Sequence, residues 1–289
     1  MSPDIVYLRN SRHPEGAFMP RSEAWISPND RGFVFGDGVY EVVRAYGGQL
    51  FMLDYHISRL QRGLQATGMP ALQLPQLRLD MQELLERNGL ARGDAMVYVQ
   101  VTRGEAPRAH PFPSPPVPPT VYMAISPAPD YARVQKEGVR VVTLSDFRWS
   151  RCDIKTVALQ GNVLSLQHAR ERGAEECVFV RDGMLTEGSH SNFFAVLDRV
   201  VRTHPATNHI LAGVTRRCVI DICCEADILW KERQIAETEL PDLEEAFLTA
   251  TSYEVTPIVA INGMPVGDGK PGPITRRIQK RFRSRTKAG

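Results

Sequence analysis

Lys155 stands just ahead of a segment with the apolar spacing of a buried helix, in the run Arg148-Trp-Ser-Arg-Cys-Asp-Ile-Lys-Thr-Val-Ala-Leu-Gln-Gly-Asn162. A primary amine condenses reversibly with an aldehyde, and once released it can carry a proton as a general base. Taken alone, a lysine at such a place is a surface residue, because an unpaired ammonium is costly to bury. Further on, Thr186-Glu187-Gly-Ser189-His190-Ser-Asn192 sets an acid in a short polar turn between two apolar strands. The run Thr102-Arg103-Gly-Glu-Ala-Pro-Arg108-Ala-His110 offers arginine, whose planar fork can donate two parallel hydrogen bonds to a carboxylate. Read by itself, it is an exposed basic loop ahead of a proline-rich linker. Gly213 precedes a helix start at Val214-Thr215, where free N–H groups could face an anion, although on its own this is simply a helix entry.

These residues need elements to hold them, and periodicity supplies candidates. Residues 34–46, rich in β-branched and aromatic types and broken by Gly36 and Gly38, predict a strand entered by a tight turn. In residues 54–66, Ile57, Leu60 and Leu64 form a helical stripe with Arg59 on an adjoining face, and Leu77, Met81, Leu84 and Leu85 mark a second helix that Gly89 can stop. Residues 95–102 alternate as a strand does. The proline-dense stretch from Pro107 to Pro129 excludes helix and most central strand, leaving residues 120–125 as a short edge strand. That stretch also marks a domain boundary. We expect a small α+β domain over residues 1–125, a linker at 126–131 and a larger β-rich domain over 132–289. The latter has strands at 139–144, 177–180, 193–197, 246–249 and 258–261, helices at 162–172 and 214–224, and a turn at Asp182-Gly183.

Composition narrows the function classes. With 289 residues, 43% of them hydrophobic, the chain can bury two modest cores. A net charge of +2 demands no polyanionic partner, so no nucleic acid is expected, and Arg276, Arg277, Lys280, Arg281, Arg283, Arg285 and Lys287 read as a solvated basic tail. The five cysteines show no CxxC spacing and the seven histidines no HxxxH pair, which argues against a metal site and for reduced thiols. Gly36-Asp-Gly38 is followed by Val39-Tyr40-Glu41, which leaves a dinucleotide GxGxxG fingerprint incomplete. No apolar stretch reaches the length of a membrane span, and Met1-Ser-Pro-Asp-Ile-Val-Tyr lacks a leader pattern, so a cytoplasmic protein is expected.

Five segments in order resemble the fold-type IV pyridoxal-phosphate enzymes. They are RGFxFGDGVYE at 31–41, Asp153-Ile-Lys155, TEGSxSN at 186–192, HPATNHILAGVTR at 204–216 and Thr251-Ser-Tyr-Glu-Val-Thr-Pro257. The matches span nearly the whole chain. That family includes D-amino acid aminotransferases, branched-chain aminotransferases, (R)-selective amine transaminases and aminodeoxychorismate lyase. The resemblance implies an α+β fold of two domains, a small α/β sandwich-like one and a larger β-barrel-like one with helices, with pyridoxal 5′-phosphate between them.

It also implies roles. Lys155 would form the internal Schiff base and later act as the base, and Glu187 would pair with the pyridine nitrogen. The phosphate would be held by Arg59, by backbone amides at Val214 and Thr215, and by Thr251, while Ser189, His190 and Leu211 would line the cofactor. The loop at 103–110 matches the RGxxPRxH pattern of the D-amino acid members. There the arginine and histidine, Arg108 and His110 here, bind the substrate carboxylate with Tyr40 and reach into the neighbouring subunit of a homodimer. His190 is a departure, since the D-specific members have serine at that place. The implied reaction moves the amine of a D-amino acid to a 2-oxo acid. A branched-chain L-amino acid or an (R)-amine is the alternative donor, and a lyase of the aminodeoxychorismate type is the more distant one.

Overall fold

The computed structural model describes residues 4–287. The chain folds as two units, one running to Ala128 and including Ile154–Ala158, the other comprising Pro129–Asp153 and the chain from Leu159 onward. The first contains β1 (Ile5–Arg9), β2 (Ala17–Pro20), α1 (Arg31–Phe35), β3 (Gly38–Tyr46), β4 (Gln49–Leu50), α2 (Leu53–Ala66), α3 (Leu74–Arg87), β5 (Ala95–Thr102) and β6 (Thr120–Pro127). Its strands make one antiparallel sheet in the order β2-β1-β6-β5-β3-β4. Period-two alternation turns Val39, Val43 and Ala45 of β3 to the same side as Val97, Val99 and Val101 of β5. The stripes Ile57, Leu60 and Leu64 of α2 and Leu77, Met81, Leu84 and Leu85 of α3 complete that core. Each such burial is worth roughly 1.5–3 kcal/mol.

Two expectations are corrected here. The strand expected from residue 34 starts only at Gly38, because Asp30 caps α1 by accepting from Gly32 N at 2.8 Å, and Gly36 ends the helix in the left-handed region at φ 67°. The segment read as an edge strand is β6, which lies between β1 and β5. Pro118 and Pro119 precede it and Pro127 is its last residue, so no proline removes a donor from its interior. Its second neighbour, the β1–β2 hairpin, was not read from the sequence.

The second unit contains α4 (Ala132–Glu137), β7 (Val139–Ser145), α5 (Gln160–Glu171), β8 (Glu176–Arg181), β9 (Met184–Gly188), β10 (Asn192–Leu197), β11 (Val200–Thr203), α6 (Val214–Glu225), β12 (Trp230–Glu232), β13 (Ile235–Ala236), β14 (Glu245–Ala250), β15 (Glu254–Ile261), β16 (Met264–Pro265) and α7 (Pro273–Lys287). The sheet runs β12-β11-β10-β14-β15-β7-β8-β9-β13, and an added pairing of β9 with β10 closes six of these strands into a ring. The barrel-like domain is thus present. Val141, Val178, Leu185, Phe193, Ala195, Leu248 and Ile258 belong to its core. The basic C-terminal segment is no solvated tail but the helix α7. Glu245 caps it by accepting from Ile274 N at 2.9 Å and Thr275 N at 2.7 Å, and Ile278 and Phe282 are buried on one face while most of the cations lie on the other.

Candidate active site

Ring closure in the second unit fixes the acid. The β9–β10 pairing is the single register pair Glu187↔Asn192, and Asn192 pairs on its other side with Thr249. The turn between is tight enough that a Cβ on Gly188 would lie 2.1 Å from Ser191 Oγ, so glycine is required there. Glu187 is buried, yet every oxygen is served. Oε1 accepts from Arg148 Nη1 at 2.8 Å, and Oε2 from Leu211 N at 2.9 Å and Asn192 Nδ2 at 3.1 Å. Burial pushes its pKa up to about 7, against the pull of the Arg148 guanidinium and the Leu211 N–H. Arg148 is oriented in turn by Asp146, through Nε at 2.9 Å and Nη2 at 3.0 Å, and lies over the Phe179 ring.

Asn192 ties this acid to the start of α6. It donates to Leu211 O at 2.8 Å, and a Cβ on Gly213 would sit 2.0 Å from Asn192 Oδ1, so a side chain there would displace Asn192. The N-cap of α6 is Gly213, which has no side chain with which to cap the first turn, and Val214 and Thr215 there are buried. Next to Asn192, the buried Thr249 Oγ1 has no hydrogen-bond partner among the described residues. Thr251 lies in the turn after β14, two positions beyond. Ser189 N donates to Glu176 Oε1 at 3.2 Å, while His190 Nδ1 lies 2.9 Å from both Glu176 Oε2 and Ser189 Oγ, its ring edge-on to Tyr253. Burial would raise the Glu176 pKa, but hydrogen bonds from His190, Ser189 and Cys177 N outweigh it and hold the group at about 2.

Lys155 belongs to the first unit. Its segment is stitched to β3 by Tyr40 N donating to Lys155 O at 2.9 Å, Val157 N donating to Gly38 O at 3.0 Å and a bridge between Val39 and Thr156. The Lys155 Nζ lies 4.2 Å from the centre of the Tyr40 ring. Strand parity sends the next residue, Glu41, to the buried side. There it accepts from Arg59 Nε at 2.7 Å and Nη2 at 2.9 Å, with His56 Nδ1 at 2.8 Å. Arg59 and His56 hold the Glu41 carboxyl well below the usual range even though burial alone would raise it. Burial keeps His56 below its ordinary value, and the charges of Arg59 and Lys155 push the same way.

The residues singled out from the sequence thus fall into groups. Glu187, Leu211, Val214 and Thr215 gather around Asn192, and Ser189 and His190 gather on Glu176. Tyr40 lies against Lys155 and Tyr98, whereas the exposed Arg108 and His110 share the Phe35 ring, at 5.2 and 5.5 Å. Arg59 is in a buried pair with Glu41. Sequence reading missed Glu41, His56, Asp146, Arg148, Glu176 and Asn192 as partners. For Glu41 a signal existed, because alternation along β3 places it inside, where a carboxylate must be paired.

In the second unit the donor set suits an anionic cofactor with a basic ring nitrogen, since a buried acid poised near neutrality, a helix start at Gly213 and an orphaned hydroxyl lie together there; the first unit carries an amine on a segment bonded to β3. Residues 38–261 match the amino-transferase class IV family. The chain is 40% identical over 265 residues to the D-alanine aminotransferase of Bacillus licheniformis, covering 91% of this chain and 93% of that one. With the D-alanine aminotransferase of Staphylococcus haemolyticus it shares 41% identity over 269 residues, 92% and 94% of the two chains. In structure it is similar to the branched-chain aminotransferase of the thermophilic archaeon Thermoproteus uzoniensis solved with norvaline, with a TM-score of 0.86 at 27% identity over 97% and 93% of the chains. The five ordered motifs, the closed barrel and these matches lead to one conclusion: the chain belongs to the class IV aminotransferases and has their fold, fold type IV.

Proposed function

We propose that this enzyme, a pyridoxal-phosphate-dependent transaminase, moves the amine of a D-amino acid such as D-alanine to a 2-oxo acid such as 2-oxoglutarate. The observation that carries the donor class is the 40–41% identity to D-alanine aminotransferases over nine tenths of the chain, with the Arg108–His110 loop intact. When bound, the cofactor supplies an aldehyde carbon that accepts amines and a ring that takes up an electron pair. Lys155 would hold that aldehyde carbon, and its amine, when free, would take up the proton that leaves the substrate Cα. Glu187 would pair with the ring nitrogen, and Arg148 aims its carboxylate and opposes the rise that burial causes.

The phosphate is the task of the first turn of α6 at Val214 and Thr215, aided by Arg59 and Thr251, and Ser189, His190 and Leu211 line the cofactor. Arg108 and His110, with Tyr40, read the substrate carboxylate. We assign them to the neighbouring subunit of a homodimer, for which the exposed Phe33 and Phe112 supply apolar surface to cover. Among the described residues no helix is long and apolar enough to cross a membrane. We place the enzyme in the cytoplasm, where its five unpaired cysteines stay reduced.

The test is a donor panel. The loaded enzyme is incubated with 2-oxoglutarate and, in parallel, D-alanine, L-leucine and an (R)-aryl amine. D-Alanine should be consumed fastest; faster consumption of L-leucine or of the aryl amine would contradict the donor assignment.

A further inference from the structure

Three successive carbonyls of one loop converge on a single buried guanidinium. Arg31, at the start of α1, is 4% exposed; its Nη1 donates to Ala109 O at 2.6 Å and Pro111 O at 3.3 Å, and its Nη2 to His110 O at 3.3 Å. These carbonyls belong to the peptide units that orient Arg108 and His110. The third nitrogen, Nε, donates to Asp37 Oδ2 at 2.9 Å.

Asp37 is fixed from the far side by Arg103, whose Nε and Nη2 reach its two oxygens at 2.7 and 3.0 Å. Arg103 is anchored on Thr67 O at 2.7 Å and Gly68 O at 3.1 Å, and its guanidinium lies 3.6 Å from the centre of the Phe112 ring. Together the two arginines hold Asp37 below the usual carboxylate range, against a burial effect that would raise it. The root of the loop is pinned independently, since Asp30 Oδ2 accepts from Thr102 Oγ1 at 2.9 Å and Thr120 Oγ1 at 2.7 Å, and Arg31 N donates to Gly104 O at 2.9 Å. Burying two cations around one carboxylate is expensive unless geometry repays it. Joining the two strands β5 and β6 needs only the root. The convergence on the tip serves the tip.

We propose that Arg31, aimed by Asp37 and Arg103, is a positioning residue that pre-forms the loop carrying Arg108 and His110, and thereby sets the preference for carboxylate-bearing amine donors. The proposal rests on the carboxylate-reading role given to that loop above. Its physical basis is preorganisation: a loop ordered before binding loses less entropy when the carboxylate arrives.

A double-mutant cycle on the cofactor-loaded enzyme tests it. Arg31→Gln should raise KM for D-alanine about tenfold, the scale of a lost set of charge-assisted hydrogen bonds, with much less change in kcat. Because Arg31 acts through the loop, Arg31→Gln added to Arg108→Gln should raise KM little beyond Arg108→Gln alone. Independent, multiplying effects would overturn the proposal. Asp37→Asn, which leaves the guanidinium but removes its anchor, should reproduce the KM-weighted loss. A second readout needs no turnover. Amide hydrogen exchange across residues 104–112 should accelerate in both Arg31→Gln and Asp37→Asn, and unchanged exchange in both would refute the positioning role. If the parent enzyme consumed no D-amino acid, the donor assignment would fail while the exchange data still judged Arg31.

Discussion

Glu187 and Glu176 are two buried carboxylates of the same barrel, and their neighbours drive them in opposite directions. Glu187, raised to about 7, contributes stability that is fully present below its ordinary value of 4.5 and is lost as the pH climbs through about 7. Glu176, depressed to about 2, contributes stability that is present above 4.5 and is lost as the pH falls toward about 2. In the first, burial outweighs the pull of the Arg148 guanidinium and the Leu211 N–H; in the second, the hydrogen bonds from His190, Ser189 and Cys177 N outweigh burial. His190→Ala removes one partner of Glu176, so the acid-unfolding midpoint, followed by tryptophan fluorescence, should move to higher pH; an unmoved midpoint would contradict this account of Glu176. The lysine and the acid proposed for the site were legible as motifs. The supports of that acid were not, because Asp146 and Arg148 follow β7 and Arg148 reaches Glu187 across 39 residues of chain, a pairing that no local spacing encodes.

At the scale of elements, what the sequence revealed tracks how local the signal is. The stripes of α2 and α3, the alternation of β5 and the glycine entry to α6 are short-range patterns, and the structure has them where the residues placed them. Strand order is not local. The position of β6 between β1 and β5 depends on an N-terminal hairpin far away in the chain. The C-terminal helix was hidden for another reason: Arg and Lys dominate it so strongly that its narrow apolar stripe, Ile278 and Phe282, passes for noise. Phe282→Ala separates the two readings. A buried aromatic truncated to alanine should cost about 3–5 kcal/mol in denaturant unfolding, whereas a loss under about 1 kcal/mol would restore the solvated-tail reading.

For the molecule as a whole, each unit supplies its own core and its own share of the residues proposed for the site. In the first unit the segment of Lys155 is bonded to β3, whose Glu41 is buried in a cluster with His56 and Arg59. The barrel of the second carries Glu187 at the register pair that closes it. Strand β9 therefore holds the proposed acid, and main-chain hydrogen bonds to β3 hold the segment of the proposed amine, as a site that must fix reacting atoms closely requires. The loop of Arg108 is the exception, and the Arg31–Asp37–Arg103 lattice gives it the stiffness that a strand would.

Lys155 is the proposed point of covalent attachment, on which every other role rests. Borohydride reduction of the enzyme loaded with pyridoxal phosphate, followed by digestion and peptide mass spectrometry, reads that directly. The added mass is predicted on the peptide containing Lys155 and to be absent from Lys155→Ala. Stable label on another lysine, or full labelling of the Lys155→Ala variant, would contradict the assignment.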